Sequence, residues 1–323
     1  MYVITQDIAN EHKGNMFFNM HNTAYHILQN IHTNKNNIRY MKKIAIQGFK
    51  GSFHDIAAHR YFCEDDDIQP ICCDTFEQVF ENIKRDPTVI GMVAIENTIA
   101  GSLLHNYELL RESDTTIIGE HKLRIQHCIC CLPNDSWSTV KEVHSHPVAL
   151  MQCRGFLANH PEIKAVEAQD TAGAAQHIAE MQCNSWAAIC HADAARMHGM
   201  KILQDSIEDN KHNFTRFLVV CHKEKAERHR KTICADKASL VFALPHEEGC
   251  LSQVLSILSF YKINLTKIQS LPIIGHEWEY LFYVDITFDD YIRYKQSIEA
   301  IRPLTKELKV LGEYKDDKND PNN

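Results

Sequence analysis

Asn213-Phe214-Thr215-Arg216-Phe217 runs directly into the apolar Leu218-Val219-Val220, which sets a hydroxyl and a guanidinium at the mouth of a buried strand. In an open α/β sheet, ligands collect at strand ends, where a hydroxyl can donate to a departing oxygen and a cation can hold an anion. The same residues also suit an ordinary strand, with Thr215 favouring extended backbone and Arg216 a solvated charge. Gly48-Phe49-Lys50-Gly51-Ser52 is a glycine-bounded loop before a helical stretch, where backbone N–H groups could meet an anion. It lacks the spacing of a Walker loop and the three glycines of a dinucleotide fingerprint, and a tight turn explains it equally well. Glu96-Asn97-Thr98 with Gly101 follows another strand and offers carboxylate, amide and hydroxyl, or simply a turn and a cap. Ser145-His146-Pro147 leads into a helix carrying Gln152 on its second turn, and Thr171-Ala172-Gly173 opens another helix suited to a carboxylate or to plain capping. A serine-hydrolase reading of Ser145 and His146 lacks both the Gly-x-Ser-x-Gly elbow and an acid partner.

The elements that must position these groups follow from size and pattern. A chain of 323 residues holds two ordinary domains, or one with a regulatory appendage. Its 44% hydrophobic and 24% charged residues describe a globular protein, and no run reaches the ~18 apolar residues of a membrane span. A net charge of −8 without a basic face excludes a general nucleic-acid binder, so an anionic substrate must be held by local donors. Twelve cysteines scattered through apolar strands predict reduced thiols and a cytoplasmic setting. His127, Cys128, Cys130 and Cys131, with His144 and His146, could gather a metal but lack the paired Cys-x-x-Cys spacing of a zinc site, so none is expected.

Residues 1–40 carry eight Asn and no clear period, which predicts a poorly ordered extension with at most a helical turn or two over Ala24 to Ile31, and Met41 as the natural start. From Lys43, short apolar strands alternate with helices, the signature of an α/β fold with a mostly parallel sheet. Strands are predicted at Ile44–Gln47, Ile68–Cys73 and Val89–Ile95, then at Leu123–Cys131, Glu142–His144, Ala165–Ala168, Ala187–Cys190 and Phe217–Val220. This gives one lobe from 42–117 and about 201–222, and a second from 118–200, with ligand expected between them. The charged stretch 223–236 reads as an exposed linker. Beyond it, 237–314 has the order βαββαβ, a small ferredoxin-like sandwich, and the acidic tail 315–323 is expected to fray.

Taken together, these segments resemble the prephenate dehydratases, which form phenylpyruvate in phenylalanine biosynthesis. The resemblance spans nearly all of 43–314 and rests on Gly48 to Ser52, on Glu96 to Thr98 with Gly101, on Ser145 to Pro147 through Gln152 and Cys153, on Thr171, and on Asn213 to Phe217. It implies a two-lobed, periplasmic-binding-protein-like catalytic domain over 42–222, joined to an ACT regulatory domain over 237–314. It implies decarboxylating dehydration of prephenate without a cofactor, with Thr215 catalytic and Ser52, Asn97, Thr98, Ser145, Gln152, Thr171, Arg216 and Phe217 binding substrate. Phenylalanine is the implied effector, at Gly249-Cys250-Leu251 and Gln269-Ser270-Leu271-Pro272. There the family's Gly-Ala-Leu and Glu-Ser-Arg-Pro are altered, and a charge pair is missing; Phe49 also replaces a frequent proline. A homodimer or homotetramer is expected. Arogenate dehydratase is the neighbouring alternative, and a non-catalytic ACT-linked sensor is an alternative of another class.

Overall fold

The structure, a computed structural model, describes residues 41–62, 68–230, 234–273 and 279–317, with side chains in the charged helix described through Ala226. The expected extension over 1–40 lies outside the described residues. The chain opens with β1 (Lys42–Gln47), α1 (Phe53–Tyr61), β2 (Ile68–Cys73), α2 (Phe76–Arg85), β3 (Ile90–Asn97), β4 (Gly101–Ser102), α3 (Leu104–Glu112) and β5 (Thr115–Arg124). It continues with β6 (Cys128–Cys131), β7 (Glu142–Ser145), α4 (Pro147–Gln152), α5 (Arg154–Ala158), β8 (Lys164–Glu167), α6 (Thr171–Met181), β9 (Trp186–Cys190), α7 (Ala192–Met197) and β10 (Lys201–Gln204). After β11 (Phe214–His222) and α8 (Lys223–Arg230) come β12 (Lys237–Ala243), α9 (Cys250–Phe260), β13 (Asn264–Pro272), β14 (Tyr280–Thr287), α10 (Tyr291–Ile301) and β15 (Lys306–Tyr314).

These strands form two sheets. Ten strands make the first, ordered β13-β14-β12-β15-β5-β11-β3-β1-β2 with β4 against β3, and β10-β6-β9-β7-β8 make the second. Parallel pairing is confined to β2-β1-β3, to β8-β7-β9 and to one bridge between β15 and β5, so both sheets are mixed where a mostly parallel one was expected. The near-continuous apolar run of β3 fits a strand covered on both faces, and six of its eight residues in succession are buried. α2 buries Val79, Phe80 and Ile83 along one stripe and is capped by Thr75, whose hydroxyl accepts from the Gln78 N–H.

Four expectations about the course of the chain differ from the structure. The apolar run Leu123–Cys131 is not one strand: β5 ends in the large sheet, where Arg124 pairs with Phe214, and β6 begins in the small one, where Cys128 pairs with Cys190. The crossing backbone at Ile125 and His127 bonds instead to Asn213 and Ile207, so apolar character continues while sheet membership changes. The return crossing likewise comes after β10, because Ile202 pairs with Cys130 in the small sheet. Within the expected linker, 223–230 is the helix α8, anchored by buried Ala226; one apolar anchor among charges resembles a linker in sequence, and 231–233 lie outside the described residues. The tail's first acids are docked, with Asp317 Oδ2 accepting from the Lys122 N–H at 2.7 Å and Lys237 Nζ donating to Asp316 at 3.0 Å, while 318–323 lie outside the described residues.

The C-terminal βαββαβ unit is fused to the first lobe. One face of its sheet carries Leu240, Phe242 and Val284 against Val254 and Leu258 of α9 and Tyr294 and Ile298 of α10. The other face sends Val241, Leu281, Tyr283 and Leu311 into a core shared with Tyr107, Ile117, Leu218 and Val220. Each such side chain contributes roughly 1.5–3 kcal/mol on full burial. The sheets meet where Gly312 pairs with Ile117, and a Cβ on Gly312 would lie 2.3 Å from the Ile117 carbonyl oxygen. Only glycine permits that approach.

His54 of α1 packs under β3 and β11. Its Nε2 accepts from the Ala94 N–H at 3.4 Å, its ring meets Phe217 edge-on at 5.0 Å, and burial drives its pKa down from 6.5 to about 3. Burial also lowers the pKa of His127 and His191. Between pH 7 and pH 5 the unfolded chain takes up protons that these folded imidazoles refuse, so stability is full above about 6.5 and falls as pH drops. The urea midpoint should therefore decrease over that window, by up to about 1.4 kcal/mol per pH unit for each such histidine. His54→Phe should flatten the slope; a midpoint independent of pH from 7 to 5 contradicts the neutral buried imidazoles.

Candidate active site

β3 and β11 run antiparallel with Thr215 opposite Asn97 and Arg216 opposite Glu96. Directly opposed residues share a face and successive residues alternate, so Asn97 and Thr215 project together and Glu96 and Arg216 project the other way. Asn97 Nδ2 donates to Thr215 Oγ1 at 2.9 Å and to Asn213 Oδ1 at 2.8 Å, with the Phe214 carbonyl at 3.2 Å. Its Oδ1 accepts from the N–H groups of Ile99 and Ala100, which locks the amide from both ends. Thr215 is half-buried, and its oxygen accepts from Asn97 while its own proton is not spent on any described residue. Asn213 is fully buried, with its oxygen used and its Nδ2 unpartnered among the described residues. An unsatisfied donor there stands ready for an incoming acceptor. The sequence pattern included Asn213 but gave it no role.

Thr98 does not face a ligand: its hydroxyl donates to the His212 carbonyl at 3.1 Å and accepts from the Phe214 N–H at 3.0 Å, pinning two loops together. Ser145 is likewise committed, fully buried and donating to the Ile189 carbonyl at 2.6 Å. Ser52 caps α1, its Oγ accepting from the Asp55 N–H at 3.4 Å while Asp55 accepts from the Gly51 N–H at 2.7 Å. Thr171 is buried at the first turn of α6, whose cap is the preceding Asp170, accepting from Gly173. Burial raises the Asp170 pKa against the opposing pull of those N–H groups. Gln152 Oε1 lies 3.0 Å from His127 Nε2, and burial lowers the pKa of that imidazole. The Gln152 amide nitrogen is left without a hydrogen-bond partner among the described residues. Phe53 of α1 sets its ring edge-on to His127 at 5.4 Å and to His191 at 5.8 Å, which joins the first lobe to the second.

The glycine loop is closed onto the second lobe. Gly48 and Gly51 have φ of +99° and +81°; a Cβ on Gly51 would lie 3.1 Å from Ala194 Cα, and one on Gly48 would lie 3.1 Å from Asp170 Oδ2. The Phe49 ring covers Gly173, whose added Cβ would meet it at 3.0 Å. A cavity of about 200 Å³ beside Phe49 is lined by His144, Gln169 and His177, and Thr215 does not border it.

Arg216 is engaged on all sides within the fold. Its Nε bonds Glu120 Oε2 at 2.6 Å, Nη1 bonds Asp285 Oδ2 at 2.5 Å and Nη2 bonds the Tyr314 hydroxyl at 3.0 Å. Burial works against its charge, but Tyr314, Asp285 and Glu120 overcome that and hold its pKa well above the ordinary value. A space of about 10 Å³ beside it has room for one water at most. Phe217 lies below Thr215 in the core, 1% exposed, and touches His54 instead of a ligand. Strand alternation and depth set these two residues apart from Thr215, which a motif read as a string does not do.

In the C-terminal unit, Gly249 opens α9 with φ of +80°, and Cys250 and Leu251 form its first turn. Gln269, Ser270 and Pro272 lie on β13, an edge strand, but Leu271 is buried in the shared core and is not available to an effector. The His/Cys grouping does not assemble, since His127 turns to Gln152 and His144 stacks on Trp186 at 4.2 Å. Cys128 and Cys130 gather instead with Cys190, their sulfurs within 4.8 Å of one another in the core of the second lobe.

A family model described as prephenate dehydratase matches residues 44–225. The chain is 33% identical over 290 residues to arogenate dehydratase 5, chloroplastic, of Arabidopsis thaliana, covering 84% of this chain and 67% of that protein. It is 30% identical over 285 residues to the bifunctional chorismate mutase/prephenate dehydratase of Escherichia coli (strain K12), covering 88% and 73%. A solved prephenate dehydratase in complex with L-Phe from Arthrobacter aurescens superposes with a TM-score of 0.72 at 25% identity, covering 85% of this chain and 90% of that one.

The interlobe seam is testable by itself. Gly51→Val puts a branched side chain at a left-handed φ and against Ala194 backbone, at a cost of about 1–3 kcal/mol. The variant should melt a few degrees lower and scatter as a more open particle; an unchanged small-angle scattering profile would count against the contact.

Proposed function

The chain belongs to the prephenate dehydratase family, and on that footing we propose that it converts prephenate to phenylpyruvate, water and CO2, with Thr215 assisting departure of the ring hydroxyl. The C–C bond to the ring carboxylate breaks, its electron pair enters the ring, and the C4 hydroxyl leaves with the electrons of its own bond, taking up a proton to become water. Aromatisation supplies the driving force, so the protein mainly has to orient a dianion and stabilise the departing oxygen. The observation that carries this reading is the hydrogen bond from Asn97 Nδ2 to Thr215 Oγ1, which fixes the oxygen while its own proton stays free to be donated. A threonine hydroxyl is a weak acid, so it acts as a directed donor to developing negative charge and not as a full proton source. Asn213 Nδ2 and the free Gln152 amide are the donors we assign to substrate, with Ser52 and Thr171 holding the surrounding loops.

The two lobes are read as a periplasmic-binding-protein-like catalytic domain, and the βαββαβ unit as an ACT regulatory domain answering to phenylalanine. That reading is supported by the L-Phe complex of the Arthrobacter aurescens relative and by the turn at Gly249. Gln269, Ser270 and Pro272 would border the effector, while Gln269 and buried Leu271 stand where the family carries a charge pair. Edge strand β13 and the α9 face of half-buried Leu255 with exposed Ser252, Ser256 and Ser259 suit pairing of such units into a homodimer or homotetramer, and the free cysteines favour a cytoplasmic setting. Arogenate is the second substrate to consider, since one relative is an arogenate dehydratase.

Purified protein mixed with prephenate should produce phenylpyruvate, followed by its absorbance, and turnover on arogenate run in parallel ranks the two substrates. Thr215→Ala should lower kcat by about 10²–10³-fold with KM little changed. Equal turnover in that variant removes Thr215 from the mechanism. Phenylalanine titrated into the same assay should change the rate, and a flat response would sink the regulatory assignment.

A further inference from the structure

The ladder between the two strand ends that carry Asn97 and Thr215 is irregular, although Phe214 to Val219 keep register with β5 and Glu96 and Asn97 pair with β4. Arg216 pairs with Glu96 but the next residue, Phe217, pairs with Ala94, so β3 has an extra residue at Ile95. A bulge of this kind bends a strand and re-aims the side chains beyond it, leaving their placement to other contacts. Beside the bonds that Asn97 makes within the first lobe, two such contacts come from the C-terminal unit. Lys267 of β13 reaches Glu96 Oε1 at 2.8 Å and Ser102 Oγ at 2.9 Å, with its ammonium 5.4 Å above the Tyr107 ring. Asp285 of β14 holds Arg216, and is itself fixed by Ser239, whose hydroxyl donates to Asp285 Oδ1 at 2.5 Å and contacts the Tyr314 hydroxyl at 2.7 Å. Each grip falls on the immediate chain neighbour of one member of the Asn97–Thr215 pair.

We infer that Lys267 and Asp285 are positioning residues for the dehydration: acting from the C-terminal unit through Glu96 and Arg216, they set the direction of the Thr215 hydroxyl. The inference rests on Thr215 as the donor to the leaving oxygen. Ser102 belongs to β4, which pairs with the same end of β3, so Lys267 clamps Glu96 and its neighbouring strand together. β13 carries Gln269 and Ser270 two and three residues after Lys267, so a ligand that shifts this edge strand moves Glu96 directly. No separate relay through the second lobe is needed.

A double-mutant cycle tests it. Lys267→Met should lower kcat about ten-fold with KM within about two-fold of the parent, Lys267→Arg should restore most of the loss, and Glu96→Gln should reproduce the Met effect. In a Thr215→Ala background Lys267→Met should cost nothing further, because the group it positions is gone. Asp285→Asn is the second arm, read at a temperature where its circular dichroism matches the parent. If Thr215→Ala is inactive while Lys267→Met turns over like the parent, the positioning role is overturned and the reading of Thr215 stands. If the two losses multiply in the double variant, Lys267 acts on something other than Thr215 and the inference fails. If Thr215→Ala itself keeps full turnover, the underlying assignment is what fails.

Discussion

The buried guanidinium of Arg216 is the constraint around which the molecule is organised. A cation at 9% exposure is tolerable only with its acids in place, and removing one partner of such a pair costs about 3–5 kcal/mol. Its partners come from three separate strands: Glu120 of β5, Asp285 of β14 and Tyr314 at the end of β15. Glu120 is shared with Lys237 of β12 at 2.7 Å, which joins a fourth strand to the cluster. The charges balance locally, Arg216 and Lys237 against Glu120 and Asp285, and Lys237 also meets Asp316 where the tail docks. Forming this cluster therefore requires the C-terminal unit to be in register with the first lobe.

Strand alternation turns that constraint into function. One residue along from Arg216, the hydroxyl of Thr215 points to the opposite face and meets Asn97, whose amide also holds Asn213. A dry, ionic face and a donor-lined face are thus the two sides of one peptide segment. The dry side is rigid because its ions are fully paired, and the other side inherits that rigidity while leaving its donors unspent. In a reaction driven by aromatisation, such orientation is worth more than strong acidity.

Much of this was legible in the chain, and the parts that were not share a cause. Elements marked by apolar period and caps, such as β3 and α6, fall where pattern predicts them. The Asn213–Phe217 segment also announced itself by its polar residues at the edge of an apolar run. What a linear pattern does not carry is side and depth. Arg216 and Thr215 look alike as polar strand residues, and only the partners on β5, β14 and β15 separate a structural ion from an open hydroxyl. Ser145 and Thr98 present hydroxyls in the string but spend them on Ile189 and on His212 and Phe214 in space. The crossing at Ile125–His127 was hidden for a related reason, since a segment passing between two cores stays apolar throughout.

Gly312 gives the architecture a mechanical character. Because the strand of one unit touches the backbone of the other at that residue, with no space for even a methyl group, the join has the stiffness of a sheet and lacks the slack of a tether. A homologous C-terminal segment spliced in at residue 236 would have to reproduce this seam, its glycine and its acid at 285 together. Exchange of C-terminal segments among relatives should accordingly be far more restricted than the visible boundary in the chain suggests, with the interface inherited as one piece.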